Sequence, residues 1–342
     1  MTGLTVALDA MGGDFGPQVT VPAAVQALLQ YPSLNLLLFG DQSAITAQLS
    51  SLNSTHHPRL TVVHCDRAIA DHTRPSQALR QSQGSSMRRA LDAVAEGDAD
   101  ACVSAGNTGA LMALARYTLK QLPGVERPAL VSAIPSRRGG KTWLLDLGAN
   151  VSCDADTLFQ FAVMGSVLAE QEMTGRPPRV ALLNIGSEEI KGNDLVKRCA
   201  SMLSRSPDVH YIGYVEGNEL YDGKADVVVC DGFVGNVSLK TSEGVANLFI
   251  ESFKQAVSQH PVKRLVAKWL FSDLFRQIQS LNPDQYNGAS LLGLRGIVVK
   301  SHGSADIAAY TNAIGEAVHE IKRKIPAKIS DRLEHVLLER HF

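Results

Sequence analysis

Residues 4–14 read LTVALDAMGGD: an apolar run that ends at Asp9, a glycine pair, and a second carboxylate at Asp14. A short aliphatic stretch closed by glycines reads as a buried strand running into a tight turn. The same chemistry recurs six times, in VSAGNTGA (103–110), LDLGAN (145–150), LNIGSEE (183–189), CDGFVGN (230–236), YNGASLLG (286–293) and KSHGSAD (300–306). Glycine lets a backbone approach a ligand closely, and N–H groups at a helix start favour an anion. In an open α/β sheet, ligands bind beyond the carboxyl ends of the strands. Seven such loops, read as strand ends along one sheet edge, point to an enzyme whose substrate carries or forms an oxyanion.

Working outward, the apolar runs predict strands over Leu4–Asp9, Leu34–Gly40, Leu60–Cys65, Ala101–Ala105, Ala129–Ile134, Thr142–Asp146, Val180–Ile185, Val209–Tyr214, Val227–Asp231 and Gly296–Val299. Between them, helical spacing marks Val19–Gln30, Asp154–Glu170, Asp194–Ser204, Val237–Ser258 and Asp306–Lys324. Alternation of this kind predicts a mostly parallel sheet covered on both faces, a three-layer α/β/α fold. With no repeat or long linker, residues 1–342 read as one α/β domain. One helical excursion, 244–281, interrupts the alternation. There Val262, Leu265, Val266, Trp269, Leu270, Leu274, Phe275, Ile278 and Leu281 form one apolar stripe flanked by Lys263, Arg264, Lys268 and Arg276. The stripe fits packing on the core or a dimer partner. It equally fits contact with a bilayer or an acidic carrier protein.

The formal net charge of −1 gives no electrostatic reason to expect nucleic acid. The cysteines at 65, 102, 153, 199 and 230 are odd in number, scattered and without a CxxC pair, as expected of reduced thiols. The chain starts directly on a strand, so no signal peptide is expected, and no apolar run reaches membrane-spanning length. GxGxxG, Walker, HExxH and GxSxG patterns are all missing, which disfavours a nicotinamide site, ATP chemistry, zinc and a serine nucleophile.

The polar loop residues divide by chemistry. Ser104, Gly106, Asn107, Thr108 and Gly109 combine short polar side chains with exposed N–H groups before a helix, an arrangement suited to phosphate. Asp9, Gly12, Gly13 and Asp14 read as the floor of a crevice, and equally as a capped turn. Lys191, in EEIKGND beside Glu188 and Glu189, is placed to compensate a developing negative charge. Asn236 reads as the N-cap of the next helix or as an oxyanion donor. Lys300, Ser301 and His302 share a further loop.

Taken together, LDAMGGDFGP, SAGNTGALM, DLGANV, LLNIGSEEIKGN, CDGFVGNVSLKT and YNGASLLGLRG followed by VVKSHG resemble the bacterial acyl-[acyl-carrier-protein]:phosphate acyltransferase family of phospholipid synthesis. The likeness runs in order from about Leu4 to His302. It implies a Rossmann-like fold related to phosphotransacetylases and isopropylmalate dehydrogenases, and a homodimer acting at the cytoplasmic membrane face. It further implies direct attack of inorganic phosphate on the thioester of an acylated carrier protein, with no metal or organic cofactor. Lys191 and Asn236 are then the expected catalytic pair. The phosphate loop is Ser104–Gly109, and Asp9, Asp14, Asp146, Asn150, Asp231 and His302 line the crevice. Leu265, Trp269, Leu270 and Phe275 are expected to meet membrane or carrier. The alternatives are an acyl-coenzyme A phosphotransacetylase, a nicotinamide-dependent decarboxylating dehydrogenase and a non-catalytic membrane scaffold.

Overall fold

The computed structural model describes residues 3–173, 175–258 and 286–340. The predicted stripe from Val262 to Leu281, with Leu265, Trp269, Leu270 and Phe275, lies outside them, and of the 244–281 excursion only 244–258 is described. In chain order the elements are β1 (Leu4–Asp9), α1 (Pro17–Gln30), β2 (Leu34–Gly40), α2 (Gln42–Ser51), β3 (Leu60–His64), α3 (Pro75–Gln81), α4 (Ser86–Glu96), β4 (Ala101–Ser104) and α5 (Thr108–Leu119). Then come β5 (Ala129–Pro135), β6 (Lys141–Leu145), α6 (Ala155–Glu170), β7 (Val180–Leu183), α7 (Asp194–Leu203), β8 (Tyr211–Val215) and β9 (Val227–Val229). The described chain closes with α8 (Gly232–Ser258), β10 (Ala289–Leu292), β11 (Ile297–Lys300), α9 (Ile307–Arg323) and α10 (Ile325–Arg340).

The strands form one sheet in the order β3-β2-β1-β4-β11-β10-β5-β6-β9-β7-β8. They are apolar on both faces because helices cover both. Leu34, Leu36 and Leu38 pack with Ala24 and Leu28 of α1 and with Tyr310 of α9, whereas Ala7, Cys102 and Val298 join Leu91 and Leu111 of α4 and α5. In the second half α6 is apolar almost all round and is buried against Val227, Val229 and the α10 residues Ile329 and Leu333. Each such side chain, withdrawn from water, stabilises the fold by about 1.5–3 kcal/mol.

The sheet is parallel except at its centre, where β10 runs antiparallel to β11 and β5, and β5 to β6. Residues 289–292 are therefore a strand, where the sequence reads a loop. This reversal sends β6, β9, β7 and β8 in the opposite direction to β1, β2, β3, β4 and β11. The register then decides where the loops meet. Val299 pairs with Ser290, Ser290 with Val131, and Val131 with Leu145. The carboxyl end of β6 thus stands level with that of β11. The glycine loops occupy two rims that face each other across a cleft, and not a single edge.

Candidate active site

On the first rim, Asp9, Ser104 and Lys300 end three adjacent strands and lie in one row, Asp9 paired with Ser104 and Ser104 with Lys300. Ser104 Oγ donates to Asp9 Oδ2 at 2.7 Å and accepts from the Gly106 N–H at 3.1 Å. Asp9 is 1% exposed, and its Oδ1 has no close hydrogen-bond partner among the described residues, with the Ser86 hydroxyl and the Met11 N–H giving weaker support to the carboxylate. Burial raises its pKa. Gly12 has no room for a side chain, since a Cβ there would stand 2.7 Å from the Gly106 nitrogen and 2.8 Å from Asp9 Oδ2. The Asp14 N–H donates to the Gly303 carbonyl at 2.9 Å, which ties the β1 loop to the β11 loop. Asn107 caps α5, its Oδ1 accepting from the Ala110 N–H at 2.8 Å while its amide donates to the Asp71 carbonyl.

Lys300 is the cation of this rim. It is 8% exposed, and its ammonium donates to the carbonyl oxygens of Ala105, at 3.2 Å, and Ser301. Burial pulls its pKa down to about 8. The loop beyond it is pinned by Asn287, whose amide donates to Ser301 Oγ at 2.8 Å and whose carbonyl accepts the His302 N–H at 2.8 Å. The His302 ring bridges Ser304 Oγ, 2.8 Å from Nδ1, and Lys240 Nζ on α8, 3.1 Å from Nε2.

On the second rim, Asp146 is fully buried and its carboxylate is saturated. It accepts the N–H groups of Leu130 and Ala149, each at 3.0 Å, and of Asn150 at 2.7 Å, with the Asn150 amide at 2.9 Å. Asn150 in turn accepts the Gly232 N–H through its carbonyl at 2.8 Å, which seats the start of α8. Gly235 packs so closely that a Cβ would lie 1.9 Å from the Asp146 carbonyl oxygen. Asp231, rather than Asn236, caps α8, accepting the Val234 N–H at 2.8 Å. Asn236 stands inside the first turns of the helix, its side chain beside Gly148. The thiols of this rim are poor nucleophiles: burial, with the charges of Asp146 and Asp231, pushes Cys153 up to about 12 and Cys230 well above the usual thiol range.

Between the rims lies a cavity of about 570 Å³. Thr108, Lys300, Ser301, His302, Gly148 and Asn236 line its polar part, and Leu130, Ile134, Leu239 and Ala246 its apolar part. The chain as a whole is similar to known proteins. Residues 4–328 match the family described as "Fatty acid synthesis protein". Over its full length the chain is 79% identical to a phosphate acyltransferase of Photobacterium profundum and 66% identical to one of Aliivibrio salmonicida, each match covering 100% of both chains. The chain belongs to the phosphate acyltransferase family. It is an acyltransferase. Its fold is similar to a phosphotransacetylase from Streptococcus pyogenes, with a TM-score of 0.63 and 16% identity over 94% of each chain. A branched-chain phosphotransacylase from Enterococcus faecalis gives 0.54 and 16% over 93% of this chain and 99% of that one.

Of the residues singled out in the sequence, Thr108, Asn236 and His302 line the cavity, while Asp9, Gly12, Gly13, Ser104 and Gly106 lie behind the first rim as its support and the exposed Asp14 ties its loop to Gly303. Asn107, Gly109, Asp146, Asn150 and Asp231 shape loops and helix starts. Lys191 does not line the cavity: it is exposed on the loop after β7, with its ammonium 2.9 Å from Glu188 Oε1. Lys300, which shares a loop with Ser301 and His302 in the sequence, carries no role that the sequence alone assigns. Its signal was a lysine ending a fully apolar strand, IVVK, where burial of the ammonium follows from the strand itself.

Proposed function

We propose that this enzyme transfers a fatty acyl group from an acyl-carrier-protein thioester to inorganic phosphate, giving acyl phosphate for phospholipid synthesis. The observation that carries the reading is one cavity holding a buried ammonium, an amide and an apolar wall. Phosphate, already an anion, needs positioning and charge compensation more than a base. The loop at Thr108 and the Lys300 ammonium supply both. A phosphate oxygen adds to the thioester carbonyl carbon, and the carbonyl oxygen takes up negative charge. Asn236, which lines the cavity beside Gly148, is the donor assigned to that oxygen. The tetrahedral adduct collapses, the C–S bond breaks and the thiolate leaves with a proton. Lys300, with its pKa near 8, is well matched to supply it, since an ordinary thiol has a pKa of about 8.5.

Lys191, on the same rim as Asn236, is assigned to incoming negative charge. The reading includes a homodimer with peripheral contact to the cytoplasmic membrane face. Among the described residues no helix is long and apolar enough to cross a membrane. α8 nevertheless presents Leu248 and the 72% exposed Phe249 outward, a surface suited to such contact.

The test is product formation from a long-chain carrier thioester and labelled inorganic phosphate, with the coenzyme A thioester in parallel. Labelled acyl phosphate from the carrier substrate is expected. Product from coenzyme A alone would remove the carrier as donor, and product from neither would overturn the reading.

A further inference from the structure

The apolar part of the cavity has a shape of its own. Its floor is β5, where Leu130 and Ile134 stand four residues apart on one face, about 13 Å along the strand. Its roof is α8, where Leu239 and Ala246 are seven residues apart and so share a helix face. From Asn236 to Ala246 the helix advances about 15 Å, a length comparable to that of the floor. Leu130 lies at the Asn236 end of the floor, its carbonyl accepting the Leu147 N–H next to Gly148, and Pro135 lies at the other end, where the Tyr221 carbonyl accepts the Arg137 N–H; Ala246, ten residues beyond Asn236 on α8, also lines the cavity. Among the polar groups on these walls, Ser132 Oγ donates to the Tyr286 carbonyl at 3.3 Å, and Lys240 pairs with Glu243 at 2.8 Å.

We propose that the channel between β5 and α8 seats the alkyl chain of the acyl donor, and that Ala246 sets how long a chain it accepts. This rests on the acyl-transfer reading given above. An extended alkyl chain rises about 1.25 Å per carbon, so the channel takes roughly ten to twelve carbons beyond the carbonyl. The small Ala246 side chain leaves the far end open to it. A larger residue there shortens the space without touching Asn236 or Lys300. The position is half-buried on a helix, which tolerates a bigger apolar side chain.

The experiment uses the full-length enzyme and a series of saturated acyl thioesters from six to eighteen carbons with inorganic phosphate. In parallel, equilibrium binding of a fluorescent long-chain fatty acid is measured without phosphate. Ala246→Phe is expected to lower kcat/KM for donors of twelve carbons and more by roughly 10- to 100-fold, since each excluded methylene costs part of its transfer energy. The six-carbon donor and the KM for phosphate stay within about twofold, and Ala246→Leu shifts the optimum less. The fluorescent probe binds at least tenfold more weakly to Ala246→Phe. A uniform loss at every chain length, or an unchanged profile with unchanged probe binding, overturns the proposal. If the wild-type enzyme forms no acyl phosphate from any thioester, the acyl-transfer reading fails. Probe binding then decides the channel alone, weaker binding in Ala246→Phe retaining it as an alkyl site and equal binding removing it.

Discussion

Asp9 and Asp146 hold matching places in the two halves of the sheet, each closing an apolar strand at the cleft and each withdrawn from water. Asp146 accepts four hydrogen bonds and holds the 146–150 loop and the start of α8 in place. Asp9 accepts the Ser104 hydroxyl at 2.7 Å, is supported more weakly by the Ser86 hydroxyl and the Met11 N–H, has no close partner at Oδ1 among the described residues, and lies in a row with a buried lysine. Buried polar groups are ordinarily satisfied, and those left partly unsatisfied concentrate where chemistry is done. The two rims therefore divide the work: the second is a rigid frame for Asn236, the first an electrostatic pole.

Substitutions break or sharpen this contrast. The largest effect is expected from Lys300→Met, with kcat lowered by about 10²–10³, the scale of losing one stabilising group at a developing charge. Its thermal stability should be equal or higher. The folded pKa near 8 lies below the ordinary 10.5, so the cationic lysine opposes folding by about 3 kcal/mol below pH 8, a cost that fades as pH rises to about 10.5. Thermal melts beside steady-state kinetics check both halves, and a variant both inactive and less stable would make Lys300 structural. The same titration predicts that wild-type kcat falls as pH rises through about 8, and that Lys300→Arg, if active, keeps its rate to higher pH.

Asp146→Asn is expected to act the opposite way. It replaces an acceptor of four hydrogen bonds by an amide and should cost roughly 2–3 kcal/mol of stability, read as a lower denaturation midpoint. Any enzyme that remains folded should keep much of its kcat. Asn236→Ala should lower kcat about 10- to 100-fold with stability within about 0.5 kcal/mol, as an exposed amide leaving no buried group behind. Lys191→Ala is expected to have the smallest effect, within about fivefold and mainly on KM, because the side chain is exposed and paired with Glu188. A loss in kcat matching that of Lys300→Met would bring the Lys191 loop into the chemistry.

Much of this was legible in the residues. LNLLLFG and VVV declare buried strands because both faces of a parallel sheet are covered, and the GN loops declare the cleft. Less legible was the fate of residues 286–293. ASLL is four residues between glycines, too short for a period to separate strand from loop, yet its antiparallel pairing turns one rim into two. Asn236 reads as a cap because asparagine commonly caps. Asp231, three residues before Val234, takes that role and frees Asn236 for the cavity. The contrast between Lys191 and Lys300 is likewise tertiary, since only strand register shows which lysine is enclosed.

In the proposed reaction phosphate itself attacks the bound thioester, with the nearby thiols held protonated and no acyl group passing to the protein. The direct measurement is exchange of label between acyl-carrier thioester and free carrier thiol in the absence of phosphate. Direct attack predicts no exchange until phosphate is added. Exchange at the rate of turnover without phosphate would require a covalent acyl-enzyme and would contradict the account.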